Sequence, residues 1–372
     1  MMKILHPILC YYPSQAGGPA NTLYWLNTAL SKTDFETVVL STKFGIAKPL
    51  NSLNFAANQE VVFLDTKGKA FIKKGIKQMS GCDVVQFSSL FFPPTLPLLL
   101  KAVMQRKAII ISPRGELYAS ALSQKAMKKK VWKGVIALFQ KHINFHATNT
   151  FEKGIIQQHF PKAKSVTLIP NYIKLEQKLD VEIKDQFVFV GRINPIKNID
   201  LLIHAFSELL KSNVSSNYEL LIVGSARLPY ELEYEVLLKD LIMELNLQDH
   251  VKLLGHLEGE DKHQIIASSK ALVLPSKSEN FGNVVLEALA QGTPVIASKN
   301  TPWEILEQHN SGYWVEGNIE SLTLAMQHLA VMQLEHFYSM RTNAYTLCKS
   351  KFDIQTNSHV WENYYKKITS DV

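Results

Sequence analysis

The segment Ser276–Gly292, SKSENFGNVVLEALAQG, combines two carboxylates with a glycine turn. It lies between two apolar runs, ALVLP and PVIAS, which have the character of buried strands. Gly282 lets a ligand approach the backbone closely, and the helix predicted from Val284 offers its first amides to an anion. Glu279 and Glu287 flank this turn, where carboxylates accept hydrogen bonds from hydroxyl groups. The chemistry that fits is recognition of a phosphate group flanked by sugar and ribose hydroxyls.

A second segment, Phe187–Asp200, FVFVGRINPIKNID, places two cations after an apolar strand. The strand ends at Gly191, followed by Arg192, and Lys197 precedes an amphipathic helix that Asn198 is placed to cap. Arg presents a fork to phosphate oxygens and Lys presents a point charge, so the pair suits a diphosphate. Taken singly, each cation is more typical of a solvated surface.

The elements that position these residues alternate along the chain, short apolar runs with amphipathic stretches. Runs without strict alternation that are separated by helices indicate parallel strands covered on both faces. The predicted strands are Lys3–Leu9, Thr37–Leu40, Val61–Leu64, Asp83–Phe87, Ala108–Ser112, Ile143–His146, Val166–Ile169, Phe187–Val190, Glu219–Val223, Val251–Leu254, Ala271–Leu274 and Pro294–Ala297. The predicted helices are Ala20–Leu30, Leu96–Gln105, Lys125–Lys141, Phe151–His159, Asn198–Leu210, Tyr230–Leu245, Asp261–Ala267, Val284–Ala290 and Ile319–Leu329.

Two consecutive series of this kind predict an α/β protein with two Rossmann-like, doubly wound domains. A length of 372 residues fits two domains, and 46% hydrophobic and 20% charged residues are ordinary globular values. We expect an N-terminal domain over 1–170, a linker over 171–184, a C-terminal domain over 185–350 and a terminal helix over 351–372. Binding residues at the carboxyl ends of strands belong at the ligand edge of such sheets.

Taken together, the Gly-Arg and Lys-Asn pairs and the two glutamates resemble the group 1, or family 4, glycosyltransferases. The resemblance implies the GT-B fold, two Rossmann-like domains facing each other across a cleft, and retention of anomeric configuration. It assigns the donor diphosphate to Arg192 and Lys197 and the ribose to Glu287. It assigns the transferred sugar to Glu279 and to the turn after it, Phe281, Gly282 and Asn283. Val284 is a further donor-binding residue. A weaker match places the base-binding loop at Leu254–His256. The resemblance also implies that the last helix crosses back to the first domain.

The N-terminal half carries weaker signals. Gly17 and Gly18 follow the first strand and resemble the family's glycine loop toward the donor phosphates, although such a pair is also typical of a plain turn. Arg114 stands in ISPRGEL where many relatives have a His, so a role for a titrating imidazole is in doubt. We assign Arg114 and Glu116 to the acceptor side, where Arg114 could bind an anionic acceptor or the departing phosphate. His6, in the first strand, is expected to pack in the core.

Charge is distributed unevenly between the two halves of the chain. Residues 1–180 hold 24 Lys and Arg against 9 Asp and Glu, a net charge of +15, and residues 181–372 have a net charge of −8. A cluster of lysines around Trp132 lies on a predicted helix: Lys125, Lys128, Lys129, Lys130 and Lys133. The pattern fits a helix lying on an anionic bilayer and fits equally a solvated basic face over a buried apolar one. No run is long enough to span a membrane, and three scattered cysteines indicate a cytoplasmic protein.

These observations favour an enzyme that moves a hexose-type sugar from a UDP- or GDP-sugar to a hydroxyl of a saccharide or lipid-linked acceptor. The expected setting is bacterial cell-surface polysaccharide synthesis at the inner face of the cytoplasmic membrane. We expect no cofactor, no essential metal and no nucleic-acid partner, since no Asp-x-Asp loop or recognition motif appears. The alternatives are an epimerase or hydrolase of the same fold and a non-catalytic partner subunit. A dinucleotide-dependent dehydrogenase lacks its G-x-G-x-x-G signal.

Overall fold

The computed structural model describes residues 1–14, 18–46, 53–123, 125–212 and 217–371. The chain divides into two compact units. Unit 1 comprises residues 1–174 and 354–372, and unit 2 comprises residues 175–353. Each unit is built on one parallel sheet.

Unit 1 has a seven-stranded sheet in the order β3-β2-β1-β4-β5-β6-β7. Its strands are β1 (Met2–Pro7), β2 (Phe35–Thr42), β3 (Gln59–Leu64), β4 (Val84–Phe87), β5 (Ala108–Ile111), β6 (Ile143–Ala147) and β7 (Ser165–Leu168). Its helices are α1 (Gly18–Leu30), α2 (Lys69–Met79), α3 (Thr95–Met104), α4 (Ala119–Ser123), α5 (Ala126–Leu138), α6 (Thr150–His159) and, from the end of the chain, α14 (Ile354–Ser370).

Helices cover both faces of this sheet, which is why its central strands β4, β5 and β6 are buried at every position. One buried cluster joins α2, α3, α5 and α6 to one face, through side chains such as Phe71, Leu98 and Ile136. The other cluster joins α1 and α14 to the opposite face, with Trp361 and Tyr365 against the sheet. Strands enclosed in this way lose the polar alternation of a half-exposed strand.

Unit 2 has a six-stranded parallel sheet in the order β10-β9-β8-β11-β12-β13. Its strands are β8 (Gln186–Val190), β9 (Glu219–Val223), β10 (Val251–Gly255), β11 (Ala271–Leu274), β12 (Val295–Ser298) and β13 (Gly312–Val315). Its helices are α7 (Ile199–Lys211), α8 (Pro229–Glu244), α9 (Gly259–Ser268), α10 (Asn283–Ala290), α11 (Ile305–Gln308), α12 (Ile319–Ala330) and α13 (Leu334–Lys351).

The prediction of two Rossmann-like, doubly wound α/β domains is confirmed. Every predicted strand is present, with ends within about two residues, the usual uncertainty of element boundaries. Five elements were not predicted: the long helices α2 and α13, the short helices α4 and α11, and the edge strand β13. The helix α2 has Gly75 at its centre, where a Cβ would come within 2.9 Å of Leu98 on α3, so close packing requires a residue that weakens the helix signal.

Candidate functional site

In unit 2 the predicted binding segments follow two strands that are adjacent in the sheet. The strand order reverses between β8 and β11, because the chain first builds outward through β9 and β10 and then returns to the other side of β8. Gly191 and Arg192 follow β8, and the Glu279 turn follows β11. Ligands of open α/β sheets bind at such a switch point, outside the carboxyl ends of the strands.

Close backbone contacts hold the loops after β8, β9 and β10 together. The Gly191 amide donates to the Val223 carbonyl at 3.0 Å, and the Gly224 amide donates to the Gly255 carbonyl at 2.7 Å. A Cβ on Gly224 would lie 1.8 Å from the Gly191 carbonyl oxygen. Only glycine fits at position 224, and this close approach fixes the end of β8.

Arg192 is well exposed beside a buried carboxylate. Its Nη1 lies 3.6 Å from Oε1 of Glu231, whose side chain is 1% exposed. Glu231 also accepts hydrogen bonds from the Asn194 side chain at 2.8 Å and from the amides of Arg227 and Leu228. Burial alone would raise the pKa of Glu231, but these hydrogen bonds and the Arg192 charge outweigh it, so the pKa lies below its ordinary value. Glu231 therefore stays ionised and anchors the loop that carries Arg192.

Lys197 and Glu279 form an ion pair that joins the two binding segments. Their side chains are 17% and 16% exposed. The Asn194 side chain accepts the Ile196 amide at 3.0 Å and so opens the short turn that ends at Lys197. The Lys277 amide donates to the Ile196 carbonyl at 2.8 Å, which ties the loop after β11 to this turn. The structure thus brings together two residues that are 82 positions apart in the sequence.

The turn before α10 has a backbone that glycine favours. Gly282 has φ of +80° at the N-cap of α10, and a Cβ there would meet Leu274 at 3.1 Å and Glu279 at 3.2 Å. Phe281 is buried, and its ring packs edge-on against Trp303, whose indole N–H donates to the Phe281 carbonyl. The Phe281 side chain therefore belongs to the core, and its contribution to a ligand site is limited to its backbone.

Glu287 lies one turn into α10 and is also ion-paired. Its Oε2 is 2.9 Å from Nζ of Lys262 on α9, and the two side chains are 15% and 20% exposed. Val284, in the first turn of α10, is partly exposed. The sequence did not single out Lys262, because one lysine in a polar helix is indistinguishable there from a solvated one.

The predicted base-binding loop lies at the end of β10, on the surface of unit 2. Leu254 is 36% exposed, and Gly255 has φ of +71°. His256 Nε2 lies 3.1 Å from Oε1 of Glu258, and both side chains are about 40% exposed. The hydrogen bond between Gly224 and Gly255 connects this loop to the loop that follows β8.

The N-terminal candidates lie in unit 1. Gly17 falls outside the described residues, and Gly18 is the first residue of α1. Arg114 follows β5 with φ of +52°. Its Nη1 donates to Asn171 at 3.2 Å, whereas its Nε is buried with no hydrogen-bond partner among the described residues. A small cavity beside it is lined by Thr22, Leu23, Leu26, Pro170, Asn171, Tyr172, Ile354 and Trp361.

Glu116, the other predicted acceptor-side residue, has hydrogen-bond partners on the loop after β4. One carboxylate oxygen accepts from the Ser89 hydroxyl and the other from the Leu90 amide, both at 2.6 Å. Burial raises the pKa of Glu116, and the hydrogen bonds from Ser89, Leu90 and Phe91 act against this. In this arrangement the carboxylate holds a loop of its own unit.

The two buried histidines near Arg114 are neutral. Burial and the Arg114 charge lower the pKa values of His6 and His146 to about 3. His146 is held by Ser112 at 2.8 Å and by the Ile169 carbonyl at 2.7 Å. His6 is completely buried in β1, as the sequence predicted.

The described residues offer neither a metal-binding cluster nor a membrane-spanning helix. Within these residues no group of three or more His, Cys, Asp or Glu side chains could hold a metal ion. No helix in the described ranges is long and apolar enough to cross a membrane.

Comparison with known proteins gives consistent matches. Residues 173–346 match the family model described as glycosyl transferases group 1. A D-inositol 3-phosphate glycosyltransferase of Corynebacterium efficiens is 33% identical over 111 residues, which cover 30% of this chain and 26% of that protein. The chain spans between about a quarter and two fifths of the length of the curated relatives that it matches.

Solved structures share the fold over the whole chain. Sucrose-phosphate synthase from Thermosynechococcus elongatus has a TM-score of 0.81 at 18% identity and covers 100% of both chains. The HepE protein of Anabaena, solved with UDP and glucose, has a TM-score of 0.76 at 18% identity and covers 98% of this chain and 99% of that one. At this identity the likeness establishes the fold.

Proposed function

We propose that this chain, whose residues 173–346 match the glycosyl transferases group 1 family model, is a nucleotide-sugar-dependent glycosyltransferase. It transfers a hexose-type sugar from a UDP- or GDP-sugar to a hydroxyl of a saccharide or lipid-linked acceptor. The donor binds to unit 2, at the carboxyl ends of β8 and β11.

The observation that carries this proposal is the joining of the two binding segments by the pair Lys197–Glu279. A cation suited to phosphate and a carboxylate suited to hydroxyls meet beside the first turn of α10, at the point where the strand order reverses. Helix N-termini and switch points are separately typical of phosphate sites. Their coincidence with the family match supports a donor that carries both a diphosphate and a sugar.

The diphosphate has two cations, Arg192 and Lys197, and the dipole of α10 available to it. Arg192 is 60% exposed and only loosely paired with Glu231, so it can turn toward phosphate oxygens. Lys197 can move from the Glu279 carboxylate to the diphosphate, which frees that carboxylate for the sugar hydroxyls. Both cations and the N-terminus of α10 then stabilise the negative charge that develops on the leaving diphosphate.

The proposed reaction retains the configuration at the anomeric carbon by attack on the same face. The bond from the anomeric carbon to the phosphate oxygen breaks, and a bond to the acceptor oxygen forms. The acceptor proton passes to the departing phosphate. This route requires no enzyme nucleophile, and Glu279 serves to bind the sugar. Glu287 binds the ribose, and the surface loop Leu254–His256 lies beside the base.

We place the acceptor on unit 1, with Arg114 at its site, and the reaction in the synthesis of bacterial cell-surface polysaccharide. The net charge of +15 over residues 1–180 supports an anionic environment for that part of the chain. In this proposal unit 1 lies against the inner face of the cytoplasmic membrane, where lipid-linked acceptors are available.

A nucleotide-release assay tests the function. The protein is incubated with a panel of UDP- and GDP-sugars, with and without lipid-linked and free saccharide acceptors, and the nucleotide set free is measured. We expect release to depend on one donor and one acceptor class and to persist in a metal chelator, since we propose a metal-free reaction. The Glu279→Gln variant should lose most of this release, and the matched control Glu219→Gln, in an exposed ion pair with Lys252, should keep it.

Other outcomes of the same assay would reject the proposal. Release that is unaffected by any acceptor would favour a hydrolase or epimerase. Complete absence of release and of nucleotide binding would favour a non-catalytic partner subunit. Activity that is abolished by chelator and restored by a divalent cation would contradict the metal-free reaction.

A further inference from the structure

Among the ion pairs of the described residues, two have both side chains at most 20% exposed. One is Lys197–Glu279, and the other is Lys262–Glu287. The remaining pairs each have at least one side chain at 32% exposure or more, for example Lys252–Glu219 at 46% and 36%. Two enclosed pairs thus lie around α10, and only one of them joins residues that the sequence singled out.

The geometry fixes one half of the Glu287 carboxylate. Lys262 Nζ contacts Oε2 at 2.9 Å, and no described side chain donates a hydrogen bond to Oε1. An ionised carboxylate has two acceptor oxygens with about four lone-pair sites. A lysine on one oxygen therefore sets the orientation of the group and leaves the other oxygen for a ligand.

Because the Lys262–Glu287 ion pair is largely enclosed, it affects the orientation of the carboxylate as well as stability. A carboxylate at 15% exposure loses much of its hydration, and a neighbouring cation offsets that cost. Without Lys262 the Glu287 carboxylate is free to rotate toward water and to leave the orientation that it has in the ion pair. Exposed ion pairs, by contrast, contribute little to either stability or orientation.

We infer that Lys262 is a positioning residue for the donor ribose: it holds the Glu287 carboxylate in the orientation that accepts the ribose hydroxyls. The inference rests on the proposed function of the donor site. Because Lys262 is in the first turns of α9, directly after the base-binding loop, it also links the ribose contact to the element that follows β10. Lys262 acts through Glu287 and touches neither phosphate nor sugar.

The test compares nucleotides that differ only in the ribose hydroxyls. Calorimetry measures the binding of UDP, GDP and their 2′,3′-dideoxy analogues to the wild type, Lys262→Met, Lys262→Arg and Glu287→Gln. We expect Lys262→Met to weaken binding of the preferred nucleotide about fivefold, which corresponds to ~1 kcal/mol. Binding of its dideoxy analogue should not change. Lys262→Arg should restore most of the affinity, since it keeps the cation.

Each other pattern has a distinct meaning. If Lys262→Met weakens the binding of the nucleotide and of its dideoxy analogue equally, Lys262 acts on the phosphates or on folding, and the inference is overturned. If Glu287→Gln loses affinity and Lys262→Met does not, the inference is overturned and the donor site stands. If the wild type binds neither UDP nor GDP, the proposed function itself fails, and this inference with it. Lys252→Met, which breaks an exposed pair, is the matched control.

Discussion

Gly224 is the residue at which the backbone around the donor site tolerates least change. A Cβ there would lie 1.8 Å from the Gly191 carbonyl oxygen. The backbone segments at Gly191 and Gly224 cannot move apart without breaking the hydrogen bonds at the ends of β8 and β9. We predict that Gly224→Ala lowers the free energy of unfolding by about 1–3 kcal/mol, the usual cost of overpacking, and impairs nucleotide binding. Urea unfolding and calorimetry measure the two effects.

A glycine with open space provides the control for this variant. Gly154 lies inside α6, and a Cβ there meets no atom within 4 Å. Gly154→Ala should stabilise the protein by about 0.5–1 kcal/mol, because alanine is the better helix former. Equal stability of Gly224→Ala and the wild type would show that the loops after β8 and β9 are not in close contact.

Glu231 makes the stability of unit 2 depend on pH. Its folded pKa is lowered, so its carboxylate adds stability above the ordinary value near 4.5, and this contribution is lost as the pH falls through the folded pKa. We predict that Glu231→Gln is less stable than the wild type by about 1–3 kcal/mol at pH 7. An amide has one acceptor oxygen, so it cannot accept from the Arg227 and Leu228 amides and also from the Asn194 side chain. The difference should shrink at acidic pH.

Urea unfolding at pH 7 and at about pH 3, well below the ordinary value, measures this difference. Glu235→Gln, on the same helix α8 and in an ion pair with Lys239, is the control and should cost at most about 0.5 kcal/mol at either pH. A penalty for Glu231→Gln that is the same at both pH values would mean that its charge does not stabilise the loop.

The sequence identified most of the residues that the structure brings together in unit 2. Arg192, Lys197, Glu279 and Glu287 were found because each lies in a recognisable strand–loop–helix context. Their partners Glu231 and Lys262 were not predicted, since an ion pair between distant elements leaves no local pattern. Their proposed roles toward a donor remain predictions.

At the scale of the element, α5 carries the basic cluster, and the structure separates its lysines into two groups. Lys129 donates to the Ala121 carbonyl and lies over the Phe91 ring, and Lys133 contacts His159 at 3.0 Å. Three others, Lys125, Lys128 and Lys130, are exposed. Apolar side chains are exposed on the same helix: Met127 at 74%, Val131 at 62% and Leu138 at 78%. Exposed lysines beside exposed apolar groups are typical of helices at a bilayer surface.

We predict that the protein sediments with anionic vesicles and that substitution of Lys125, Lys128 and Lys130 by Gln strongly reduces this binding. Each lysine near such a surface contributes about 1 kcal/mol. Binding should also fall with added salt, because the screening length shrinks from about 10 Å at 0.1 M to about 3 Å at 1 M.

The control removes the same charge from unit 2, at the exposed lysines Lys239, Lys252 and Lys299. That triple variant should sediment like the wild type, and both triple variants should keep nucleotide binding. Equal sedimentation of the two triple variants, or no sedimentation of the wild type, would identify α5 as a solvated face.

Elements were easier to predict from the sequence where burial is complete. The enclosed parallel strands appear in the sequence as short apolar runs, and their predicted bounds agree closely with those of the structure. The strand β13 has only four residues at the edge of its sheet, and α13 buries Arg341 together with apolar side chains, so neither has a clear pattern. Arg341 donates to the carbonyls of Ala267, Ser269 and Gln291, an arrangement that only the tertiary structure reveals.

At the scale of the whole molecule, the fold agrees with what the sequence indicated, and residues 173–346 match the model of the family that the sequence resembled. The last helix, α14, packs in unit 1, where the Tyr365 hydroxyl donates to Gln86 at 2.6 Å. The sequence predicted a terminal helix over 351–372. The donor sugar, the base and the acceptor depend on side-chain contacts to a ligand, so neither periodicity nor composition specifies them.

The central claim is that the Lys197–Glu279 edge of unit 2 binds the diphosphate of the donor, and calorimetry with nucleotides tests it most directly. The wild type and Lys197→Met are titrated with UDP, GDP and the corresponding monophosphates. The control is Lys211→Met, which removes an exposed ion pair with Glu208. We predict that the wild type prefers one diphosphate and that Lys197→Met weakens its binding about tenfold or more, the range for a charged hydrogen bond. Monophosphate binding should change less, and the control should match the wild type. Unchanged diphosphate affinity in Lys197→Met would contradict the account.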